Sequence, residues 1–467
     1  MIIRPGKKIV YAALFAVSAI LSSCSSRGTD DTPEVIDPPG VDSDYGYNGY
    51  DIIGTESVYA YRQSSPFASE LKECVLINTR SASCEVSKLP FIGDGTTQPT
   101  IDEVMDRVLV THNWMGERFE SVLRVAPPEV LTLFSSATAV LIGSDVRPSF
   151  YTTVNGAIQL DPVYLWTTVE EKGSISQEED FRSGYGADLQ FWWLASTRDK
   201  NGDRATPFFS FEDNSERTVD DTVLPLVRLL VHELVHATDY MPRSEIAGID
   251  TSLSVYDAID SVVSNWLSPE LTFYYPLISS EMVNFAGVRY RGRDATAEQK
   301  AATAADVGQY MASDGAIKFY SYSSIREDLA QLVESVVMSY RYDVFFNTGF
   351  TQKPADEDNY SCNDLLVSWG QRNRLADPMV NVRARAATDL VLTMTPEMTA
   401  HMDTALGSPE QMETNVNWCA NQTPSTAIAA ESFTRSSTVP TTLKSGPQFR
   451  EMMRADNAGE HEGFQQD

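Results

Sequence analysis

Residues 221–240 read DTVLPLVRLLVHELVHATDY, and this stretch decides the central element of the fold. Its apolar residues recur at helical spacing and give one broad apolar face, formed by Val223, Leu226, Val227, Leu230, Leu234 and Val235. Asp220 and Asp221 stand at the start, where negative charge favours the helix dipole. Pro225 is close enough to the start for the first turn to tolerate it. The stretch therefore predicts a long α-helix.

Within this helix, residues 232–236 read HELVH. Residues four apart lie on one face of a helix, so His232 and His236 can present two imidazole nitrogens to a single metal ion. Imidazole suits zinc, and a tetrahedral site with three protein ligands keeps one position open for water. Glu233 is placed beside the histidines to take a proton from that water. Two other interpretations stay open: two histidines hydrogen-bonded inside a buried helix, or a metal site without catalysis.

This segment resembles the zinc-binding helix of the zincin metallopeptidases, whose motif is HExxH. The resemblance covers a short stretch of the chain and implies that His232 and His236 are zinc ligands and that Glu233 is the general base. The longer metzincin motif, HExxHxxGxxH, is absent, because Asp239 and Pro242 stand where that motif has its Gly and third His. A third ligand must therefore come from elsewhere in the chain.

A second segment, residues 324–331 with the sequence SIREDLAQ, resembles the EDxAE-type helix of several gluzincins and of a group of zinc-metallopeptidase lipoproteins. That resemblance implies that Glu327 is the third zinc ligand. The segment departs from the pattern at Gln331, where a second Glu is usual. Asp328 and Glu334 on the same helix are alternative ligands, and Glu327 could instead serve only to favour the helix dipole.

Two further residues are candidates for the site. Tyr320 stands seven residues before Glu327, which matches the position of a tyrosine in lethal-factor-like peptidases, and the resemblance implies that its hydroxyl supports the developing oxyanion. Ordinary packing is the alternative for Tyr320 and for its neighbour Tyr322. Asp239 is a candidate acceptor that orients His232 or His236, or else it is part of the turn that ends the helix.

The first residues have the pattern of an export signal. A positively charged segment at the N-terminus is followed by an apolar run at 9–21. That run is too short to span a bilayer as a helix. Residues 21–24, LSSC, resemble a bacterial lipobox, which implies that residues 1–23 are cleaved as a signal peptide and that Cys24 carries lipid. Ser26, rather than Asp, implies the outer membrane. The alternative is an ordinary secretory signal with a chance cysteine.

Export makes the remaining cysteines candidates for disulfides. Apart from Cys24 the chain has four, at Cys74, Cys84, Cys362 and Cys419. Closeness along the chain favours the first two as one pair and the last two as another, although four cysteines allow three pairings. Buried free thiols are the alternative.

The sequence predicts a flexible tether at residues 24–51, one body at 52–422 and a disordered tail at 423–467. In the body, helices are predicted at 101–125, 221–240, 251–267 and 323–340, and strands at 138–142 and 157–160. Early strands and later helices indicate an α+β fold. The zincin resemblance implies a small mixed or antiparallel sheet packed on the HExxH helix, with a mainly helical C-terminal part. By the same analogy, residues 157–160 form an edge strand that pairs with extended substrate.

The chain of 467 residues carries 36 Lys and Arg against 65 Asp and Glu, which gives a formal net charge of −29. Such acidity argues against nucleic acid as a partner, since phosphate binding needs a basic surface. The motifs instead predict a lipid-anchored metallopeptidase with one zinc ion and a peptide or protein substrate. A non-catalytic zinc-binding lipoprotein that assists nutrient uptake and an amidase of the cell wall are the alternatives.

Overall fold

Two small β-sheets and a larger number of helices make up the part of the chain that the computed structural model describes, which is residues 57–96, 98–178, 181–182, 184–422 and 445–458. This mixed architecture confirms the predicted α+β class. All of these residues belong to one compact unit. The predicted signal peptide and tether, within residues 1–56, lie outside the described residues.

The first sheet has five short strands: β1 Tyr59–Ala60, β2 Val108–Val110, β3 Val140–Ile142, β4 Phe150–Tyr151 and β5 Ile158–Leu160. Their spatial order is β1-β2-β3-β5-β4, in which β2, β3 and β5 are parallel and the two outer strands are antiparallel. The three inner strands are buried throughout, so their sequences VLV, VLI and IQL do not alternate with exposed polar residues.

The predicted strands at 138–142 and 157–160 are confirmed by β3 and β5. The prediction that residues 157–160 form an edge strand is wrong. Phe150 and Tyr151 of β4 pair with Gln159 and Ile158, so β4 covers the side of β5 that faces away from β3. Extended substrate therefore has no free main-chain edge on β5.

The second sheet has four strands: β6 Phe191–Arg198, β7 Phe345–Gln352, β8 Val367–Arg372 and β9 Glu410–Gln411. They follow one another in the order β6-β7-β8-β9 and are antiparallel throughout. Strands β7 to β9 lie in the second half of the chain, so the C-terminal part is less purely helical than the sequence predicts.

The α-helices among the described residues are α1 Ala68–Val75, α2 Ile101–Met105, α3 Asn113–Leu123, α4 Pro128–Leu133, α5 Val169–Lys172, α6 Val219–Tyr240, α7 Val255–Ser261, α8 Leu267–Tyr274, α9 Ser280–Arg291, α10 Ala297–Ala301, α11 Ala304–Ala312, α12 Ile325–Tyr342, α13 Pro378–Leu392, α14 Pro396–Ala400 and α15 Pro447–Ala458. Short 3-10 turns lie between several of them, including Val263–Asn265 and Phe319–Tyr322.

Helix α6 confirms the helix predicted at 221–240, although it begins two residues earlier, at Val219. The Thr218 side chain accepts a hydrogen bond from the Asp221 amide, and the Asp221 carboxylate accepts from the Thr218 amide, which forms a capping box. Because of the earlier start, Pro225 lies inside the helix rather than in its first turn. The helix tolerates it because packing of the apolar face outweighs one lost hydrogen bond.

Tertiary pairing changes two of the predicted helices. The helix predicted at 101–125 is divided into α2 and α3, because Val108–Val110 between them pairs with β3. The helix predicted at 251–267 is shorter and ends as α7 at Ser261. The helix predicted at 323–340 is confirmed as α12, and Ser324 caps it by accepting a hydrogen bond from the Glu327 amide.

The largest hydrophobic cluster joins the inner strands of the first sheet to α3, α4, α6, α12 and α13. Helices α6 and α12 pack directly against each other inside this cluster. Leu230 and Leu234 of α6 are fully buried there, as are Val333 and Val336 of α12. Burial of this kind, at roughly 25 cal/mol per Å² of apolar surface, holds the two helices in a fixed relative position.

Helix α15 shows that part of the prediction of a disordered tail is wrong. Phe449 and Met453 lie four residues apart on one face of α15 and are buried beside Trp192 of β6. The Glu451 carboxylate accepts a hydrogen bond from the Ser210 hydroxyl. Burial of these apolar side chains offsets the cost of ordering the helix. The rest of the predicted tail, at 423–444 and 459–467, lies outside the described residues.

The disulfide pairs that chain proximity favours are both present. Cys74 is bonded to Cys84, and Cys362 is bonded to Cys419. Among the helices of the described residues, none is sufficiently long and apolar to cross a bilayer.

Candidate metal centre

His232 and His236 lie one turn apart on α6, on the side of the helix that faces α12, and both are buried. Their Nε2 atoms are 3.2 Å apart, and the planes of their rings are nearly perpendicular. The helical spacing of the motif therefore does what the sequence predicts, because it aims one nitrogen of each imidazole at the same point.

Helix α12 brings Glu327 to that point. Its Oε2 atom is 3.0 Å from His232 Nε2 and 3.5 Å from His236 Nε2. Ligands bound tetrahedrally at about 2.0–2.1 Å from a zinc ion lie roughly 3.3 Å from one another. The three donor atoms have this spacing, so the buried group His232, His236 and Glu327 could hold a metal ion.

The two alternative carboxylates on α12 do not reach the point where the two Nε2 atoms converge. Asp328 pairs with Arg383 of α13, and both side chains are buried. Glu334 lies on the same face as Glu327 but two turns further along, where it accepts a hydrogen bond from Arg228 at 2.7 Å. Glu327 is therefore the carboxylate that the structure brings to the two histidine nitrogens.

Glu334 contacts the other side of the His232 ring. Its Oε2 atom is 3.3 Å from His232 Nδ1, while its Oε1 atom accepts hydrogen bonds from Arg228 and Lys318. When Nε2 of an imidazole binds a metal, Nδ1 carries the proton and needs an acceptor. Glu334 is placed to be that acceptor, and the side-chain amide of Gln331 lies 3.5 Å from the same nitrogen.

The carboxylates also set the electrostatics of the site. Burial alone would lower the pKa of His232, but its hydrogen bonds to Glu327 and Glu334 outweigh burial and raise the pKa to about 10. Burial alone would raise the pKa of Glu327, yet the two neighbouring imidazoles hold it well below its usual range. The carboxylates therefore favour positive charge at the point where the three donor atoms meet.

Glu233 is buried beside the histidines on α6. Burial raises the pKa of its carboxyl group, and the nearby imidazoles only partly oppose that effect. Among the described residues, none makes a hydrogen bond to this carboxylate. A carboxyl group with a raised pKa is better suited to take up and release a proton than one at its ordinary value.

Tyr320, in the 3-10 turn that precedes α12, also belongs to the site. Its hydroxyl donates a hydrogen bond to Glu327 Oε1 at 3.1 Å. Its ring is stacked on His232, with ring centres 6.5 Å apart, and packs edge-on against Tyr290. The structure thus places the Tyr320 hydroxyl at the candidate ligand, whereas Tyr322 is buried in the hydrophobic cluster against which the Tyr320 ring packs.

Asp239 does not orient either histidine, so that prediction is wrong. Its carboxylate accepts hydrogen bonds from the amides of Leu267 and Ser268 at the start of α8 and forms an ion pair with Arg326. Asp239 lies near the end of α6, where the first amides of α8 and the Arg326 side chain bind its carboxylate at the same time. It supports α8 and the first turn of α12 instead.

The sequence did not reveal which residues contact the Nδ1 side of the His232 ring. Arg228 lies one turn before His232 on α6, and Lys318 precedes α12 by seven residues, and both are buried against Glu334. The position of Arg228 could have been used for a prediction. An arginine one turn before the motif lies on the same helix face as His232, and if it is buried it requires an acceptor. No local pattern identifies that acceptor as Glu334.

Comparisons with protein families, with curated proteins and with solved structures found no match to this chain.

The roles of the two glutamates can be separated by zinc titration. We expect Glu334→Gln to weaken zinc binding about 10–100-fold, because loss of the carboxylate loosens the orientation of His232. Glu327→Gln removes a donor atom and is expected to weaken binding by more than that. The measurement is competition against a chelator, with circular dichroism to confirm folding and Glu270→Gln, an exposed carboxylate of α8, as the control. Wild-type affinity in Glu327→Gln, with loss in Glu334→Gln, would reverse the assignment.

Proposed function

We propose that this protein is a zinc-dependent metallopeptidase with a zincin-like arrangement of its site, held to the bacterial outer membrane by lipid on Cys24. The observation that carries the proposal is the triangle of donor atoms from His232, His236 and Glu327, with the buried carboxylate of Glu233 beside it. Three ligands from the protein are typical of catalytic zinc, whereas structural zinc usually has four.

The donor set supports zinc as the metal. Two imidazole nitrogens and one carboxylate oxygen form a His₂Glu set, which catalytic zinc sites use. When bound, zinc would polarise the carbonyl group of the substrate and lower the pKa of a water molecule. His232 and His236 would bind the ion through Nε2, and Glu327 would bind it through Oε2.

The protein's own residues then move the protons. Glu233 takes a proton from the attacking water, and its raised pKa lets it hold that proton and pass it to the leaving amine nitrogen. The Tyr320 hydroxyl donates its one proton to Glu327 Oε1 in the structure, so it supports negative charge on the carbonyl oxygen only after turning from Glu327 to that oxygen. Glu334 keeps the His232 ring in the tautomer that leaves Nε2 free to bind.

Zinc-dependent cleavage tests this proposal directly. We expect purified protein to contain one zinc ion per chain by elemental analysis and to cleave a denatured protein. A chelator should abolish the cleavage, and added zinc should restore it. His236→Ala removes one donor atom, so it should lose most of the metal and the activity together.

Zinc-loaded protein that cleaves neither denatured proteins nor a peptide library would refute the proposal. In that event, release of cell-wall fragments by the same preparation would identify an amidase. Full zinc binding with no hydrolysis of either substrate would identify a non-catalytic zinc-binding lipoprotein.

A further inference from the structure

The three most exposed large hydrophobic side chains of the described residues lie in the last turn of α8 and in the link that follows it. Phe273 is 79% exposed, Ile278 is 74% exposed and Tyr274 is 65% exposed. We call residues 273–278, FYYPLI, the apolar tip. Isolated apolar residues on a surface need no explanation, but a run of this kind indicates an interaction site.

Buried polar groups hold the main chain of the apolar tip in its middle and at its C-terminal end. The Tyr275 carbonyl accepts a hydrogen bond of 2.9 Å from Arg383 Nε. The amides of Ile278 and Ser279 donate hydrogen bonds of 3.0 and 2.9 Å to one carboxylate oxygen of Asp314. The fold therefore presents these apolar side chains to the outside in a defined conformation, which lowers the entropic cost of binding.

We propose that the apolar tip inserts into the interfacial region of a zwitterionic phospholipid bilayer. No charged residue lies between Glu270 and Glu281, so the whole tip can leave water without burying a charge. Phenylalanine and isoleucine suit the boundary of the acyl chains, and the tyrosine rings suit the headgroup level. The flanking glutamates and the net charge of −29 disfavour a strongly anionic surface.

The size of the tip favours a bilayer over a second copy of the chain. An aromatic side chain offers 150–250 Å², so the exposed parts of these residues sum to on the order of 500 Å². A stable protein interface buries about 800 Å² per partner. Met379 and Val382 of α13 are each about half exposed and add little to the area. Shallow insertion into lipid needs no such area.

The predicted lipid anchor strengthens this weak contact. About 30 residues separate Cys24 from the first described residue, Ser57. A lipid on Cys24 would raise the effective concentration of the whole protein at a bilayer surface. This proposal rests on the lipid anchor of the proposed function and does not depend on peptide hydrolysis.

The test uses protein that begins at Ser25, which keeps every described residue and carries no lipid. Its partitioning into vesicles of phosphatidylcholine and phosphatidylethanolamine is measured by sedimentation. We expect Phe273→Ser combined with Ile278→Ser to lower the partition coefficient at least tenfold. Val125→Ser combined with Val263→Ser, two exposed valines outside the tip, should leave it unchanged.

Three results would overturn the proposal: no binding by the wild-type protein, equal binding by the tip variant, or binding confined to anionic vesicles. A concentration-dependent dimer that the tip variant abolishes would show that a second copy covers the tip instead. The assay requires neither zinc nor hydrolysis, so its failure is distinguishable from failure of the proposed peptidase activity.

Discussion

Replacing Glu233 with glutamine is expected to lower kcat for peptide hydrolysis by about two to four orders of magnitude while the zinc content stays at one ion per chain. Glutamine keeps the size of the side chain, but its amide cannot take a proton from water. Glu233 is not one of the three residues whose donor atoms meet at the candidate metal position, so replacing its carboxylate removes no candidate ligand. The expected result is a folded, metal-loaded and inactive protein.

The measurement pairs kcat on a peptide substrate with elemental analysis of the same preparation. Glu270→Gln is the matched control, because it makes the same chemical change on an exposed helix surface. Glu233→Gln with full activity would exclude Glu233 as the general base. Loss of zinc together with activity would instead show that Glu233 supports the metal, and the assignment of Glu327 would then need revision.

The largest expected effect on stability comes from Arg383→Ala. Arg383 of α13 contacts both carboxylate oxygens of Asp328 and donates hydrogen bonds to the carbonyls of Gly315 and Tyr275. Both members of the ion pair are almost fully buried, with side chains 5% and 3% exposed. Removing one partner leaves the other charge buried and unpaired, which costs about 3–5 kcal/mol in the free energy of unfolding.

Urea unfolding in the presence of chelator measures this effect without a contribution from bound metal. Arg385→Ala is the control on the same helix, since Arg385 pairs with Asp403 at a more exposed position and should cost less than about 1 kcal/mol. Arg383→Met combined with Asp328→Leu should recover most of the lost stability, because it leaves neither charge of the pair buried without its partner. Equal losses in Arg383→Ala and Arg385→Ala would contradict the interpretation.

Local sequence was sufficient for the helix that carries the metal motif. The apolar spacing of residues 221–240 predicted α6, and the four-residue spacing of His232 and His236 predicted that their nitrogens converge. Both properties follow from the periodicity of one helix and need no distant contact. The disulfide pairs were predictable for a similar reason, because each cysteine lies closest along the chain to its partner.

The choice among the carboxylates of α12 needed the packing of two helices. Glu327, Asp328 and Glu334 lie on one predicted helix, and only the rotation of α12 against α6 decides which one meets the histidines. In the structure Glu327 faces His232, while Asp328 is turned toward α13. The sequence resemblance named Glu327, but its residues alone could not exclude the other two.

Several local patterns were overridden by contacts that are distant in sequence. Residues 101–125 have helical spacing, yet the strand Val108–Val110 interrupts them because β3 offers it a ladder of hydrogen bonds. Residues 157–160 were predicted as an edge strand, but pairing with Phe150–Tyr151 covers them. Helix α15 stands in a stretch of polar composition and is held by the apolar residues of β6.

By itself, the sequence determined the α+β class, the helix α6 and the two histidines with Glu233 beside them, because these depend on residues within a few turns of each other. The tertiary structure alone decided that Glu327 rather than its neighbours meets both Nε2 atoms, that Glu334 supports His232, and that Phe273, Tyr274 and Ile278 face outward. Those outcomes depend on which helix faces pack together, and packing minimises the free energy of the whole fold rather than of any one segment.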